Sequence, residues 1–393
     1  MKRIYLDYAA TTPVDRRVLN AMAPYFAAKS GNPGSLHAFG QEAIAAVDRS
    51  REAVAKAIAA GFREVVFTGS ATEANNLALR GAVRGAIAAG IRHPRMVVSS
   101  VEHESVLDTA RDLERDGVEV VYAPVDKRGI VDLARLKAAL SEPTILVSIM
   151  YANNEVGSVQ PIAEIAELVK TFREKNPGKY PLLHTDAAQA FQFLSCDASE
   201  LDVDLMTISS HKIYGPKGVG ALYVRDRKAN ISRLKPILSG GGQEFGLRSG
   251  TENVPAIVGF AKAVELAAAA RAKETKRIGA LRDQLWHGIK KIYPKAEMNG
   301  KLEAGNGLPN ILNVYFPGRA AQDLLTKFDL AGLAVSSGSA CRSRAMEPSY
   351  VIEALGYSKE RAKASIRFSL GRPTTKADIV AALGTARRCL TDA

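Results

Sequence analysis

The sequence predicts an α/β protein in which helices cover both faces of a mostly parallel sheet, with a smaller α/β domain attached. Between about residues 60 and 225, short β-rich segments alternate with amphipathic helical segments, a pattern typical of parallel sheets. After residue 255, a long stretch rich in Ala, Lys, Arg and Leu leads into a further strand and two further helices. That is enough chain for a second, smaller core.

The first region contains seven predicted strands. They lie at residues 65–67, 96–98, 118–122, 145–150, 181–184, 204–208 and 220–224. Apolar residues recur at helical spacing in residues 43–60, before the first strand, and in residues 161–172, which begin at a proline. Helices in these positions would cover the sheet.

The second region opens with residues 255–294, which are bounded by prolines and predict one long helix or two abutting ones. A domain boundary is therefore expected between residues 255 and 260. Beyond it, residues 311–316 predict a strand and residues 320–328 a helix. A final helix is expected after Thr375, with Asp378 in the capping-box position.

The composition excludes several classes of protein. The 393 residues include 53 basic and 41 acidic side chains, a net charge of +12, but the basic residues are scattered and aromatics make up only 6%. Long basic runs and aromatic platforms are typical of nucleic-acid binding, so direct binding of nucleic acid is not expected. No segment approaches the ~20 apolar residues of a membrane span.

The cysteine content favours a reducing compartment. Three cysteines, Cys196, Cys341 and Cys389, cannot build a disulfide framework. The amino terminus meets Asp7 before any apolar run can form, so no signal peptide is expected. Together these features predict a cytoplasmic protein.

The first candidate site motif is GSATEANN, residues 69–76, directly after a strand. Small residues that open a helix present free backbone N–H groups and the positive end of the helix dipole, which suits an anion. Thr72 adds a hydroxyl. The same residues could instead form a tight turn with an N-cap.

Two further motifs carry an acid and an amine. Asp186 ends the predicted strand at 181–184, where ligands of open α/β sheets bind, although it could simply cap the next helix. Lys212 follows the strand at 204–208 between His211 and a Gly/Pro turn, where burial would favour a nucleophilic amine. A surface lysine is the alternative. An anion site, an acid and an amine are the three groups that pyridoxal phosphate requires.

Cys341 lies in the small, polar segment 336–343. Accessible cysteines near positive charge are typical nucleophiles, and Arg342 and Arg344 supply that charge. Cys196 and Cys389 are interpreted as structural. The histidines and Cys341 lack metal-ligand spacing, so no metal site is predicted.

The chain resembles the NifS/IscS-type cysteine desulfurases, which belong to the class V aminotransferase superfamily of fold-type I pyridoxal-phosphate enzymes. The resemblance runs almost end to end. Its motifs are YLDYAATTP (5–13), NPGSLH (32–37), GSATEANN (69–76), EHESV (102–106), NNEVG (153–157), HTDAAQ (184–189), SSHKIYGPKG (209–218), GGGQE (240–244), LRSGTEN (247–253) and SGSAC (337–341).

The resemblance implies a role for each matching residue. Lys212 would form the Schiff base with the cofactor and shuttle protons, and Cys341 would be the sulfur-accepting nucleophile. The residues implied to bind the cofactor are Ala71, Thr72, His103, Asn154, Asp186, Gln189, Ser209, His211, Lys212 and, from a second subunit, Thr251. Among these, Asp186 pairs with the ring nitrogen, Gln189 with the phenolic oxygen, and His103 stacks on the ring and assists proton transfer. Asn154 and Arg367 would bind the substrate carboxylate. His103 and His211 could instead be core histidines, and Arg367 a structural ion-pair partner.

The resemblance also implies an architecture and partners. A large domain would comprise residues 14–258, and a small domain residues 1–13 and 259–393, with the catalytic cysteine on a mobile loop at about 335–345. The expected activity of the homodimer is conversion of L-cysteine to L-alanine, with transfer of the sulfur to an acceptor such as an iron–sulfur scaffold.

Two departures from the family pattern stand out. Gly69-Ser70 replaces Ser-Gly with little expected effect, and Arg342-Ser343 replaces Thr-Ser after the nucleophile, which should favour the thiolate and could alter which acceptor docks. An aminotransferase or selenocysteine lyase on the same fold, and a sulfur-trafficking scaffold, remain the alternative functions.

Overall fold

A computed structural model describes residues 3–176, 180–225, 233–300, 307–338 and 348–391. Its strands are β1 (Ile4–Tyr5), β2 (Val65–Thr68), β3 (Arg95–Ser99), β4 (Glu119–Ala123), β5 (Thr144–Ser148), β6 (Leu182–Asp186), β7 (Leu205–Ser209), β8 (Gly220–Val224), β9 (Glu297–Met298), β10 (Ile311–Tyr315), β11 (Leu333–Ala334) and β12 (Ser365–Ser369). Its helices are α1 (Arg16–Met22), α2 (Ala38–Ala57), α3 (Ala71–Ala88), α4 (Glu104–Arg115), α5 (Leu133–Ala139), α6 (Ile162–Lys175), α7 (Ala198–Leu201), α8 (Val254–Ile292), α9 (Ala321–Leu330), α10 (Tyr350–Ala354), α11 (Lys359–Lys363) and α12 (Lys376–Thr391).

The largest sheet has seven strands in the order β2-β8-β7-β6-β5-β3-β4. Its neighbours pair in parallel except around β8, which is antiparallel to both β2 and β7. Every residue of β5, β6 and β7 is buried, because helices cover both faces of a parallel sheet. The predicted α/β fold class and its seven strands are confirmed, with edges that differ by up to two residues.

Helix α2 begins five residues before the predicted start at residue 43. The ring nitrogen Nδ1 of His37 accepts a hydrogen bond from the Gly40 amide at 3.2 Å and caps the helix. Histidine is not among the common N-cap residues. The sequence prediction therefore relied on the apolar pattern alone, and it placed the start of the helix too late.

Helix α8 is a single helix, which resolves the choice left open for residues 255–294. Pro255 lies in its first turn, where the missing N–H is not needed, and the Asn253 side chain accepts from the Ala256 amide. The helix packs against α1, α2, α12 and β10. Residue 258 therefore lies inside a continuous helix, and the division into two domains at that point stays a prediction.

The carboxyl-terminal third of the chain contributes a second group of strands, which the amino-terminal strand β1 joins. Strands β12, β10 and β9 form an antiparallel sheet, and β1 pairs in parallel with β11. The amino-terminal strand also meets β12, since the Ser369 amide donates to the Leu6 carbonyl at 2.7 Å. The predicted strand at 311–316, the helix at 320–328 and the Thr375–Asp378 capping box are all present.

A buried ion pair fastens the segment before α8 to the edge of the sheet. The Arg51 guanidinium donates to both carboxylate oxygens of Glu244 at 2.7 Å, and the Phe67 amide donates to Glu244 as well. Arg51 also lies 4.8 Å from the ring centroids of Phe67 and Phe245, where cation–π attraction adds to the pair.

A buried histidine joins three strands of the sheet. The His184 ring lies between the hydroxyls of Ser148 and Thr207, at 2.8 and 3.1 Å. Burial lowers the pKa of His184 to about 4, an effect that Asp186 opposes only in part. The ring is therefore neutral in the folded protein at pH 7.

In the part of the chain that the structure describes, the helices include none that combines the length and apolar character required to cross a bilayer.

Replacing Glu244 with Ala tests the buried ion pair. The Arg51 charge would remain buried without its carboxylate, so we expect Glu244→Ala to lower the free energy of unfolding by about 3–5 kcal/mol. Thr375→Ala, which removes a helix cap, is the control and should cost about 1 kcal/mol. Urea denaturation followed by circular dichroism measures both. If Glu244→Ala lowers the free energy of unfolding by less than Thr375→Ala does, the ion pair does not anchor this segment.

His184 predicts how stability depends on pH. Its pKa is lower in the folded than in the unfolded state, so stability is lost as the pH falls from about 6.5 towards 4. We expect His184→Gln to reduce the loss of unfolding free energy between pH 7.5 and 5 by about 2 kcal/mol. The exposed His287→Gln should retain the wild-type loss. Equal pH profiles for His184→Gln and wild type would refute this assignment.

Candidate active site

One cavity of about 200 Å³ opens at the carboxyl ends of β6 and β7. Ligands bind at this edge in open α/β sheets. The cavity is lined by most of the residues predicted from the sequence, namely Ala71, Thr72, His103, Asn154, Asp186, Gln189, Ser209, His211, Lys212 and Arg367. Thr251 is exposed and does not line it. Cys341 lies outside the described residues, as do Arg342 and Ser343 and most of the loop predicted at 335–345.

Asp186 is held in a fixed orientation at the end of β6. Its carboxylate accepts from the Asn75 side chain at 2.7 Å and from the Ala188 amide at 2.9 Å. Asn75 in turn donates to the Ser105 hydroxyl, so α3 and α4 both hold the acid in place. The sequence assigned no role to Asn75 or Ser105. Asn75 lies in the quoted 69–76 motif, which is the one signal that could have identified it.

Lys212 extends its amine towards the amino-terminal segment. Nζ donates to the backbone carbonyls of Ala9 and Ala10 at 2.5 and 2.9 Å. Thr12 fastens this segment to the turn that carries the lysine, because its amide and hydroxyl both donate to the His211 carbonyl. The AATT part of the first motif thus builds one wall of the cavity. Backbone carbonyls have no side-chain signature, so the sequence did not reveal this contact.

Two histidines in the cavity wall are neutral at pH 7. Burial, with a contribution from the nearby Lys212, lowers the pKa of His211 to about 4 and also lowers the pKa of His103. His103 caps α4, since Nδ1 accepts from the Ser105 amide. His211 Nδ1 lies 3.1 Å from the Thr11 hydroxyl. A neutral ring next to Lys212 does not repel the ammonium form of the lysine.

Arg367 enters the cavity from β12. It is 1% exposed, and its guanidinium donates to the Asn154 carbonyl and to the Asp7 carboxylate, both at 2.8 Å. It is therefore both an ion-pair partner and a cavity residue. Its Nε is buried and has no hydrogen-bond partner among the described residues. A buried donor of this kind suits an anionic ligand.

The part of the cavity wall at the start of helix α3 is suited to a phosphate. Helix α3 begins there at Ala71, and Ser70 caps it by accepting from the Glu73 amide at 3.1 Å. The first amides of a helix have no partner within it and attract anions. Ser209 Oγ is buried in the same wall with no partner in the described ranges. Gly220 of β8 lies against the start of α3, and a Cβ added to it would be 3.0 Å from the Ala71 nitrogen.

These residues fit pyridoxal phosphate. A helix start suited to an anion, a serine hydroxyl without a hydrogen-bond partner among the described residues, a fixed carboxylate and an amine all line the one cavity together with Arg367. These are the groups that the phosphate, the ring nitrogen and the aldehyde of this cofactor require. In the described part of the chain, no cluster of three or more acidic, His or Cys side chains is arranged to hold a metal ion.

Comparison with known proteins gives a consistent result. The model of the class-V aminotransferase family matches residues 4–381. A cysteine desulfurase IscS from Escherichia coli is 48% identical over 379 residues, which cover 96% of this chain and 90% of the relative. A solved NifS-like protein superposes with a TM-score of 0.89 at 36% identity and covers 99% of both chains.

A second solved structure, of SspA in complex with cysteine, is 35% identical with a TM-score of 0.79 and covers 93% of this chain and 98% of its own. The matches extend over nearly the whole chain, and most of the residues predicted to form the site line one cavity. The chain belongs to the class V aminotransferase family, within its NifS- and IscS-type cysteine desulfurases.

Proposed function

We propose that this chain is a pyridoxal-phosphate-dependent cysteine desulfurase that converts L-cysteine to L-alanine and leaves the sulfur on Cys341. The observation that carries the proposal is the cavity, which brings Lys212, Asp186 and Arg367 together from three separate parts of the fold. Relatives described as cysteine desulfurases share 44–48% of their residues with it over 96% of its length.

The cofactor would be held by the residues that line the cavity. Its phosphate would bind at the start of α3, with Ala71, Thr72, Ser209, His211 and, across a homodimer interface, Thr251 of the second subunit. Asp186 would pair with the ring nitrogen, Gln189 with the phenolic oxygen, and His103 would lie against the ring. When bound, pyridoxal phosphate supplies an electron sink that stabilises the charge left on Cα after its proton is removed.

Lys212 would hold the cofactor and then move the proton. Its amine already lies at the cavity wall, where the Ala9 and Ala10 carbonyls hold it. Once released from the cofactor, it would accept the Cα proton of L-cysteine and return a proton to the product. His103, which is neutral at pH 7 because burial lowers its pKa, can accept a proton and so assist this transfer.

The substrate carboxylate would bind Arg367 and Asn154. Arg367 lines the cavity, and its buried Nε has no hydrogen-bond partner among the described residues. Charge-assisted hydrogen bonds from its guanidinium would orient the carboxylate. The Cys341 thiolate would then attack the substrate sulfur. The new S–S bond forms as the carbon–sulfur bond breaks, and the carbon takes up a proton. L-cysteine and the Cys341 thiol thus yield L-alanine and a persulfide, with no external oxidant.

The persulfide would pass to an acceptor protein that docks near Cys341, such as an iron–sulfur scaffold, for iron–sulfur cluster assembly or other sulfur transfer. We place this activity in the cytoplasm, in keeping with a sequence whose three cysteines cannot build a disulfide framework. An excess of a small thiol can replace the acceptor. It reduces the persulfide, releases sulfide and is itself oxidised to a disulfide.

The reaction is tested by product analysis. With L-cysteine and excess thiol, the wild type should release alanine and sulfide in equal amounts. We expect Cys341→Ala to lower sulfide release at least about 100-fold, while the absorbance change caused by cysteine binding persists. Cys389→Ala, which alters a buried cysteine of α12, should behave as wild type. Sulfide release by Cys341→Ala at the wild-type rate would contradict the proposal.

A further inference from the structure

Two short segments flank residues 339–347, the undescribed stretch that contains Cys341. We call residues 335–338 the entry stem and residues 348–350 the exit stem. Both stems are described, and both contact residues next to the cavity. The proposed function requires Cys341 to reach the substrate sulfur, so the contacts of the two stems bear directly on that step.

The entry stem pairs with the strand that carries Arg367. The Ser336 amide donates to the Arg367 carbonyl at 3.1 Å, and the Arg367 amide donates to the Ser336 carbonyl at 2.6 Å. The Ser336 hydroxyl also donates to the Gly338 carbonyl. Gly338 then passes close to Glu155, since a Cβ added to it would lie 3.0 Å from Glu155 Oε2.

The exit stem contacts the same carboxyl group. The Ser349 hydroxyl donates to Glu155 Oε2 at 2.5 Å, and both side chains are buried. The next residue, Tyr350, donates its hydroxyl to the Glu102 carbonyl at 2.5 Å, directly before His103. A single carboxylate oxygen therefore lies against both stems.

Glu155 is held rigidly at the edge of the cavity. The amides of Glu155 and Val156 both donate to Asn153 Oδ1, at 2.8 and 2.9 Å, and the Glu155 carbonyl accepts from Asn313. Asn154 lines the cavity while the neighbouring Glu155 contacts the stems. The same short turn thus faces the substrate site on one side and the stems on the other.

We propose that Glu155 is a positioning residue that holds both stems of the Cys341 segment against the cavity. The proposal rests on the proposed function and adds a role for a residue that touches neither substrate nor cofactor. Hydrogen bonds to a carboxylate are shorter and stronger than those to neutral acceptors. A displacement of 1 Å in a reacting group can lower a rate about 100-fold. Glu155 therefore acts on the sulfur-transfer step rather than on substrate binding.

The test separates these two steps in the holoenzyme. Absorbance titration with L-cysteine measures binding, and mass spectrometry of rapidly quenched samples measures the first-turnover rate of persulfide formation on Cys341. We expect Glu155→Ala to slow persulfide formation roughly 10- to 100-fold and to leave the half-saturating cysteine concentration within about twofold of wild type. Glu155→Gln retains an oxygen that can accept from Ser349, so it should slow persulfide formation less than Glu155→Ala does.

Hydrogen exchange provides a readout that does not depend on activity. Peptides that cover residues 333–338 and 348–355 should exchange faster in Glu155→Ala than in wild type, because their shared contact is lost. The matched control is Asp204→Asn. Asp204 is a buried carboxylate directly before β7, at the amino-terminal end of that strand, and it accepts from the Leu183 amide and the Arg173 guanidinium. This variant should leave both the stem exchange and the persulfide rate unchanged.

Two results would overturn the role of Glu155. One is a wild-type rate of persulfide formation in Glu155→Ala, and the other is an equal loss of cysteine binding and persulfide formation. If Glu155→Ala does not fold, Ser349→Ala removes the same contact from the other side and the same pattern is expected. A wild type that forms neither alanine nor persulfide would refute the proposed function instead, whatever the variants do.

Discussion

The parallel pairing of β6 with β7 is the constraint on which the rest of the site depends. Asp186 pairs with Thr207 in this register, so the acid at the end of one strand and the turn carrying Lys212 after the next lie at the same edge. Helix α3 follows β2, and β2 and β7 are both antiparallel to β8, so α3 begins at the same edge, beside Gly220. A fixed acid, a lysine amine and a helix start suited to an anion thus follow from sheet geometry.

The other half of the site comes from the ends of the chain. The amino-terminal segment supplies the Ala9 and Ala10 carbonyls to Lys212, and β12 supplies Arg367. Asp7 and Arg367 form an ion pair, so the two contributions stabilise each other. Strand β12 also pairs with the entry stem through Ser336. Strand β12 therefore carries the group proposed to bind the substrate carboxylate and also contacts the segment that leads to the proposed sulfur acceptor.

The sequence predicts this fold well where the physical signal is local. Strands β5, β6 and β7 are fully buried, and short apolar stretches such as Ile145 to Val147 were enough to predict them. The single helix α8 tolerates Pro255 because this residue lies in the first turn. The start of α2 was missed because a histidine ring caps it.

The site residues were predicted mainly through the family resemblance. Spacing alone connected Asp186 with Lys212, but it could not identify Asn75, whose contact with Asp186 spans 111 positions. Nor could it identify the backbone carbonyls that hold the lysine, or the contact between Glu155 and Ser349, 194 positions apart. Long-range polar contacts between single residues leave no periodic pattern, so only the folded chain reveals them.

The attachment of pyridoxal phosphate to Lys212 is tested by finding the residue that carries the cofactor. The protein is incubated with pyridoxal phosphate, reduced with borohydride and digested, and the peptides are analysed by mass spectrometry. We expect a phosphopyridoxyl group on Lys212 that is absent from Lys212→Ala. A group attached to another lysine, such as the nearby Lys217, or no attached group at all, would contradict it.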